Sequence, residues 1–539
     1  MEQQQVLTRL NFGRVDGETD TRFEQCFIGT EMLRQVLQPQ HSLVVGNKGS
    51  GKSAICRLLV DGLQKVKPLL PKQYDDVICI PAYGIQSEEY LPSIELRELH
   101  PHTVDEFRYH WLSYLGLKIS STLIMHPTIV TALKKSTNKK LLDACSTLEH
   151  LLIDVGLVEQ KGIVPKLLHK YHKMKQTSTA RAGGLSRESA FTTDFKQRTG
   201  LSIIKMLETI DLILQETNCV AWLMLDKLDL LYVEDIQMLR ASITGLIQLL
   251  VQYGNQFKNI HFKIFLRNDI YRQLHIVNKS HLIGYTTEMK WRGPLLLKLL
   301  VSRAVVDPVV REYCEAALGE PVDVTNVIIG SDDYVLKIFY TIFESSRNHD
   351  DPLDPSAAAT HQWILKRLID GAGNSFPREL IHLGNRAVEK QREFDRIEGN
   401  HNCRRLISMR ALKESFQSIS QYRCDTYLYS EFPHLSHHFD VFRGSEGAVF
   451  HREELYMLFE PLSPKGDEAI RAVYDVGLIQ PMGTNVDSSR KFKVPLLYRA
   501  GLGISERRKK LIEPDREHTH RSDERAQEHS QTIADANQN

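Results

Sequence analysis

Residues 43–53 read LVVGNKGSGKS: three apolar residues, then the pattern G-x-x-x-x-G-K-[ST] from Gly46 to Ser53. A short apolar run followed by such a turn is a buried strand whose exit lets backbone N–H groups converge on an anion where a helix begins. Gly46, Asn47, Lys48, Gly49, Ser50, Gly51, Lys52, Ser53 and Ala54 are therefore the expected phosphate-binding residues. Lys52 is placed to reach the β and γ phosphates, and Ser53 to offer its hydroxyl to Mg²⁺. Ala54, Ile55, Leu58 and Leu59 recur at helical spacing, so the helix that starts there buries one face against the strand. These residues imply a nucleoside triphosphate, with ATP and Mg²⁺ the working expectation.

Working outward, residues 219–225 read CVAWLML and end in Asp226, with Asp229 three positions on. A buried strand that delivers a carboxylate to the phosphate side of a sheet can hold Mg²⁺ through water, the Walker B arrangement. Taken alone the run reads first as an ordinary buried strand ending in a solvated Asp; the phosphate loop upstream reverses that preference in favour of the metal role. Further strands are expected at 74–80, 260–266 and 285–289, with an amphipathic helix at 236–253 closing near Gly254. Alternating strands and helices imply an α/β fold with a parallel sheet.

The connection from 85 to 218 is a long insertion, helical in pattern at 107–123, 141–155 and 201–216. It carries Lys134, Lys135, Lys139, Lys140, Lys161, Lys166, Lys170, Lys173, Lys175, Arg181 and Arg187, with a loop-like stretch at 176–189. Contact with a nucleic-acid backbone and ordinary solvated helix faces both account for this charge. The expected organisation is a P-loop domain over 1–290, a helical lid over 291–445, a winged-helix domain over 446–504 and a disordered tail over 505–539. The lid reading rests on helical patterns at 293–304, 308–318, 334–343, 361–369 and 378–391, with a surface loop at 349–356. The winged-helix reading rests on helices at 452–460 and 467–476 followed by a hairpin with a polar tip at 483–489. Asp467, Glu468 and Asp475 make its second helix acidic and better suited to protein than to a DNA groove, whereas Arg490, Lys491 and Lys493 leave a wing-first approach to DNA open.

With 539 residues the chain exceeds one hydrophobic core. Its 68 Lys+Arg balance 67 Asp+Glu, which excludes a global field drawing it to nucleic acid or membrane. The 8 Cys are scattered without a C-x-x-C pair, as expected in a reducing cytosol. No apolar run approaches the length that crosses a bilayer, and the opening MEQQQVLTRL lacks a signal-peptide core, so a cytoplasmic chain without membrane contact is expected. The histidine groups His100 and His102, His169 and His172, and His434, His437 and His438 lack Cys or carboxylate partners at zinc-ligand spacing. No nucleophile-elbow sequence is present.

The order Phe12, Gly13, Glu18, then VVGNKGSGKSA, LMLDKLD, KIFLRNDIY, EMKW, FPREL and a C-terminal winged helix resembles prokaryotic P-loop ATPases of the AAA+ and STAND assemblage, several of them encoded in phage-defence islands. The resemblance covers roughly 10–80, 219–305, 375–390 and 445–504, and leaves the basic insertion outside. It implies a sheet of ASCE order 5-1-4-3-2 and an ATPase acting as a switch in defence or signalling with a partner effector protein or as a homo-oligomer. A nucleic-acid-remodelling ATPase is the alternative. By resemblance Lys52 and Ser53 serve phosphate and metal, Asp226 the metal, Arg267 or Asn268 takes the sensor 1 place, and Arg378 that of sensor 2. Arg378 is equally readable as a residue that caps or pairs within its helix. Fast members carry an acid directly after the Walker B Asp; here Lys227 stands there, so turnover is expected to be slow, with Asp229 either orienting the attacking water or capping the next helix.

Overall fold

A computed structural model of the chain describes residues 2–15, 20, 22, 25–26, 30–70, 72, 76–83, 102–155, 202–232, 235–254, 256–276, 279–345 and 359–505. Glu18, His100, His169, His172, the basic residues from Lys161 to Arg187, the 176–189 and 349–356 loops and the tail beyond Ser505 lie outside the described residues.

The chain is α/β. Strands β1 (Leu43–Gly46), β2 (Asp76–Tyr83), β3 (Cys219–Leu225), β4 (Ile260–Arg267) and β5 (Thr286–Met289) form one five-stranded sheet in the order β2-β3-β4-β1-β5. Every pairing in it is parallel. Strand β4 lies between β1 and β3, with Gly46 level with Arg267 on one side and Met289 on the other. The strand ends that carry the phosphate loop, Asp226 and Arg267 therefore open on the same edge, where open α/β sheets bind ligands.

Strand periodicity divides the interior in two. Val44, Val220, Trp222, Met224 and Phe265 point to one face, packing with the helix Lys52–Asp61, the N-terminal segment and the helices after residue 293. Leu43, Val45, Ile78, Ile80, Ala221, Leu223, Leu225 and Ile264 point to the other, under helices drawn from 104–253. β2 runs three residues beyond its expected end. Pro81 reads as a break, yet β2 is an edge strand and its register slips between Pro81 and Tyr83, where a missing N–H costs little.

The described part of the insertion covers the sheet rather than standing off it. The helix Val104–Met125 opens with a capping box between Thr103 and Glu106. It lies so close to the helix Ile236–Tyr253 that a Cβ on Gly245 would stand 2.8 Å from the carbonyl oxygen of Val104. Trp111 Nε1 donates to the Ser242 carbonyl at 3.1 Å, and the Tyr114 hydroxyl donates to the Ala82 carbonyl at 2.5 Å. Lys134, Lys135, Lys139 and Lys140 are exposed around the 136–138 turn that joins the next two helices.

Lys263, buried in the middle of β4, is satisfied by three carbonyls: Nζ donates to Val36 at 2.7 Å, Gln38 at 2.6 Å and His41 at 2.8 Å. It thereby ties the lead-in of β1 to the sheet. Residues 424–504 share a third core. It contains the helices Arg452–Phe459 and Gly466–Asp475 and a small antiparallel sheet of order β6-β8-β7, made of β6 (Val449–His451), β7 (Gln480–Pro481) and β8 (Lys491–Lys493). The sequence reading places no element at 409–429. The structure has a helix there, Met409–Arg423, that continues into a π-helical turn, Cys424–Tyr429. Among the described residues no helix is long and apolar enough to cross a membrane.

Candidate functional site

The loop after β1 turns through two left-handed glycines, Gly49 at φ +82° and Gly51 at φ +94°. A Cβ at Gly49 would meet nothing closer than 3.8 Å, so backbone conformation and not crowding demands glycine there. Lys52, the first residue of the following helix, is buried and folds back so that Nζ donates to the carbonyls of Gly46 at 2.8 Å and Asn47 at 3.0 Å. Burial lowers its pKa to about 8, against the opposing pull of Asp226.

Asp226 stands one residue beyond β3 and is 3% exposed. Burial pushes its carboxyl above the ordinary range, while hydrogen bonds from the Ser53 hydroxyl and the Lys227 backbone N–H hold it down in part. Ser53 and Asp226 thus place two hard oxygen donors in contact beside the loop. That donor set fits Mg²⁺, which keeps several ligands from phosphate and water. Lys227 takes a left-handed backbone, φ +53°, uncommon for a residue with a side chain.

Arg267, the last residue of β4, is gripped by three carboxylates. Its Nε and Nη2 donate to Asp269 at 3.1 and 2.7 Å, and its Nη1 donates to Asp229 at 3.3 Å and to Glu431 at 3.2 Å. Burial works against its charge, but these acids outweigh burial and raise its pKa. Asp229 is therefore part of this cluster, and the N-cap of the next long helix is Asp235, which accepts from Gln237 and Met238 N–H. Glu431 also pairs with Lys48 of the loop.

A cavity of about 320 Å³ opens between the loop, the ends of β3 and β4, and the helices that follow the sheet, a size within the range of small-ligand sites. Seven basic side chains line it (Arg14, Lys48, Lys52, Lys227, Arg267, Arg303 and Arg378) against two acidic ones, Asp226 and Asp229. Gly49, Gly51, Ser53 and Ala54 border it as well; Gly46, Asn47, Ser50 and Asn268 are not among its lining residues. Arg378 stands in the first turn of the helix Pro377–Glu398, its Nε 3.9 Å from where a Gly49 Cβ would be. No hydrogen bond, ion pair or ring contact engages it among the described residues. An unpaired cation at a helix N-terminus opposes the helix dipole, so its position is unfavourable until an anion arrives.

Several lining residues carry no chemistry signal in the sequence. Trp291 donates its Nε1–H to the carbonyl of Ser50 at 2.9 Å and so fixes the back of the loop. Arg303 forms a buried ion pair with Asp20 and donates to the Phe12 carbonyl at 2.8 Å. Asn385 accepts from Phe12 N–H at 2.9 Å and donates to the Gly13 carbonyl at 2.8 Å, which holds Arg14 and Val15 at the rim. Val15, Leu299, Pro377 and Ile381 add apolar lining from the same segments that carry Arg14, Arg303 and Arg378. Of these, Trp291 falls in the EMKW stretch and Pro377 in the FPREL stretch of the resemblance, neither with a role; Val15, Leu299, Arg303, Ile381 and Asn385 meet through space alone. No family model matches the chain, and no curated protein sequence matches it.

Proposed function

We propose that this chain is a P-loop ATPase: it binds ATP with Mg²⁺ in the cavity and hydrolyses it slowly, as a nucleotide-dependent switch. The observation that carries the reading is the phosphate loop itself, closed by two left-handed glycines at the mouth of a cavity with seven cations and two acids. A cavity so charged suits a polyanion, and the Ser53–Asp226 contact suits its metal. The apolar lining of Val15, Leu299, Pro377 and Ile381 would take the base. The strand order β2-β3-β4-β1-β5 supports an ASCE assignment, and two helices with a β6-β8-β7 sheet support a winged helix.

In this reading Lys52 leaves its two loop carbonyls for the β and γ phosphates. Asp229 orients the attacking water in place of the acid that Lys227 displaces, and Arg378 reaches the terminal phosphate from the helical lid. A full switch requires ATP to favour one conformer by about 5.5 kcal/mol. The resemblance favours defence or signalling in a cytoplasmic setting, with a partner effector or a homo-oligomer as the output. The exposed Lys134, Lys135, Lys139 and Lys140 at one turn favour a second reading, an ATPase that remodels nucleic acid. Steady-state ATP hydrolysis with and without DNA or RNA, with Lys52→Ala as the blank, separates them. Slow, Lys52-dependent turnover indifferent to nucleic acid supports the switch; stimulation moves the assignment to remodelling, and turnover surviving Lys52→Ala refutes both.

A further inference from the structure

Glu431 belongs to the C-terminal half of the chain, two residues past the π-helical turn Cys424–Tyr429, yet its carboxylate pairs with two cations that line the cavity. One oxygen pairs with Lys48 Nζ and the other accepts from Arg267 Nη1 at 3.2 Å. Both cations line the cavity, Lys48 at the apex of the phosphate loop and Arg267 at the end of the neighbouring strand. Phosphates seated on the amides at Gly51–Ser53 would project their terminal group toward that apex.

We propose that Glu431 sets the preference of the site between nucleoside diphosphate and triphosphate: it holds the two cations a third phosphate would claim, so a triphosphate must displace it. The inference rests on the nucleotide-binding reading above. Although burial pushes the Glu431 carboxyl up, Lys48 and Arg267 together hold it below its ordinary range, so it remains an anion that repels phosphate. Arg267 would not be stranded on its departure, because Asp269 keeps Nε and Nη2.

The same segment is tied to the opposite wall of the cavity. Arg423, at the start of the π-helical turn, pairs with Glu379 at 2.8 Å, both buried, and stacks 3.6 Å from the Tyr427 ring centre. Glu379 is the neighbour of Arg378 on the lid helix. Residues 423–431 thus link the helix Pro377–Glu398, through Arg423 and Glu379, to the loop after β1 and the end of β4, through Glu431 with Lys48 and Arg267. Replacing Glu431 by phosphate undoes the second link and frees residues 424–431 from the sheet while Arg423 keeps its anchor. π-Helical turns are costly departures from regular hydrogen bonding that concentrate at functional positions.

The test is calorimetric binding of Mg·ADP and of Mg·β,γ-imido-ATP to the full chain, as wild type, Glu431→Gln, Lys48→Gln and Lys52→Ala. Glu431→Gln should tighten the triphosphate analogue about tenfold, within the usual span of coupling, and leave ADP within about twofold. Lys48→Gln removes the same ion pair from its other end but loses a phosphate ligand, so it should not tighten the analogue. If Glu431→Gln shifts both nucleotides equally or neither, Glu431 is a strut and the inference is overturned. Hydrogen exchange on the wild-type protein gives a second readout that needs no variant: the analogue, and not ADP, should raise exchange in 424–436, and equal exchange overturns the inference. Wild type that binds neither nucleotide, or Lys52→Ala that binds as wild type does, sinks the nucleotide reading itself and the Glu431 role with it.

Discussion

Arg378 offers the sharpest test, because its ligand and stability effects should separate. In Arg378→Ala the cavity loses a partly buried guanidinium beside Gly49 that makes no ion pair among the described residues. Two unit charges about 4 Å apart at an effective dielectric of about 20 attract by about 4 kcal/mol. Partial exposure and desolvation of the phosphate reduce the net to about 1.5–3 kcal/mol, the range for a hydrogen bond to a charged group. Affinity for a non-hydrolysable ATP analogue should then fall about 10- to 150-fold. The ligand-free protein loses no pair and sheds a cation from a helix N-terminus, so its denaturation midpoint should hold or rise, within about 0.5 kcal/mol. Calorimetry gives the first quantity and urea unfolding the second. A change in affinity below about twofold refutes the argument, as does a ligand-free protein destabilised by more than about 1 kcal/mol, which would make Arg378 a structural residue.

Trp291→Phe keeps an aromatic ring but leaves the Ser50 carbonyl without its buried donor, a loss of about 1–3 kcal/mol. It should weaken the analogue as well as the fold; lowered stability with unaltered affinity would reduce Trp291 to core packing. Lys52 carries a pKa depressed to about 8 by burial, so above that pH the free protein must take up a proton before its ammonium can meet phosphate. Affinity should be level below about pH 8 and then weaken toward about tenfold per pH unit, and a flat profile to about pH 9.5 contradicts this. Asp229→Ala leaves Arg267 with Asp269 and Glu431, so ATP binding should persist while turnover falls about 10²- to 10⁴-fold, as for loss of a general base. Full residual turnover in a phosphate-release assay removes that role.

What was legible in the sequence was local. The Gly46–Ser53 pattern is eight consecutive residues, and β3 is a seven-residue apolar run with its Asp just past the end. Apolar spacing reports which face of an element is buried, and from it the strands and most of the helices after residue 293 can be anticipated. It does not report what covers that face. The helix Val104–Met125 lies against the helix Ile236–Tyr253 because Gly245 and Trp111 bring them together, and no periodicity states that pairing. Charge pairing is less legible still. Lys48 and Glu431 are 383 positions apart, and Trp291 and Ser50 are 241 apart. Coulomb attraction and hydrogen bonding act through space, so only the folded path of the chain decides that Arg267 is triply held, that Glu431 reaches the loop after β1 and that Arg378 has no ion-pair partner among the described residues.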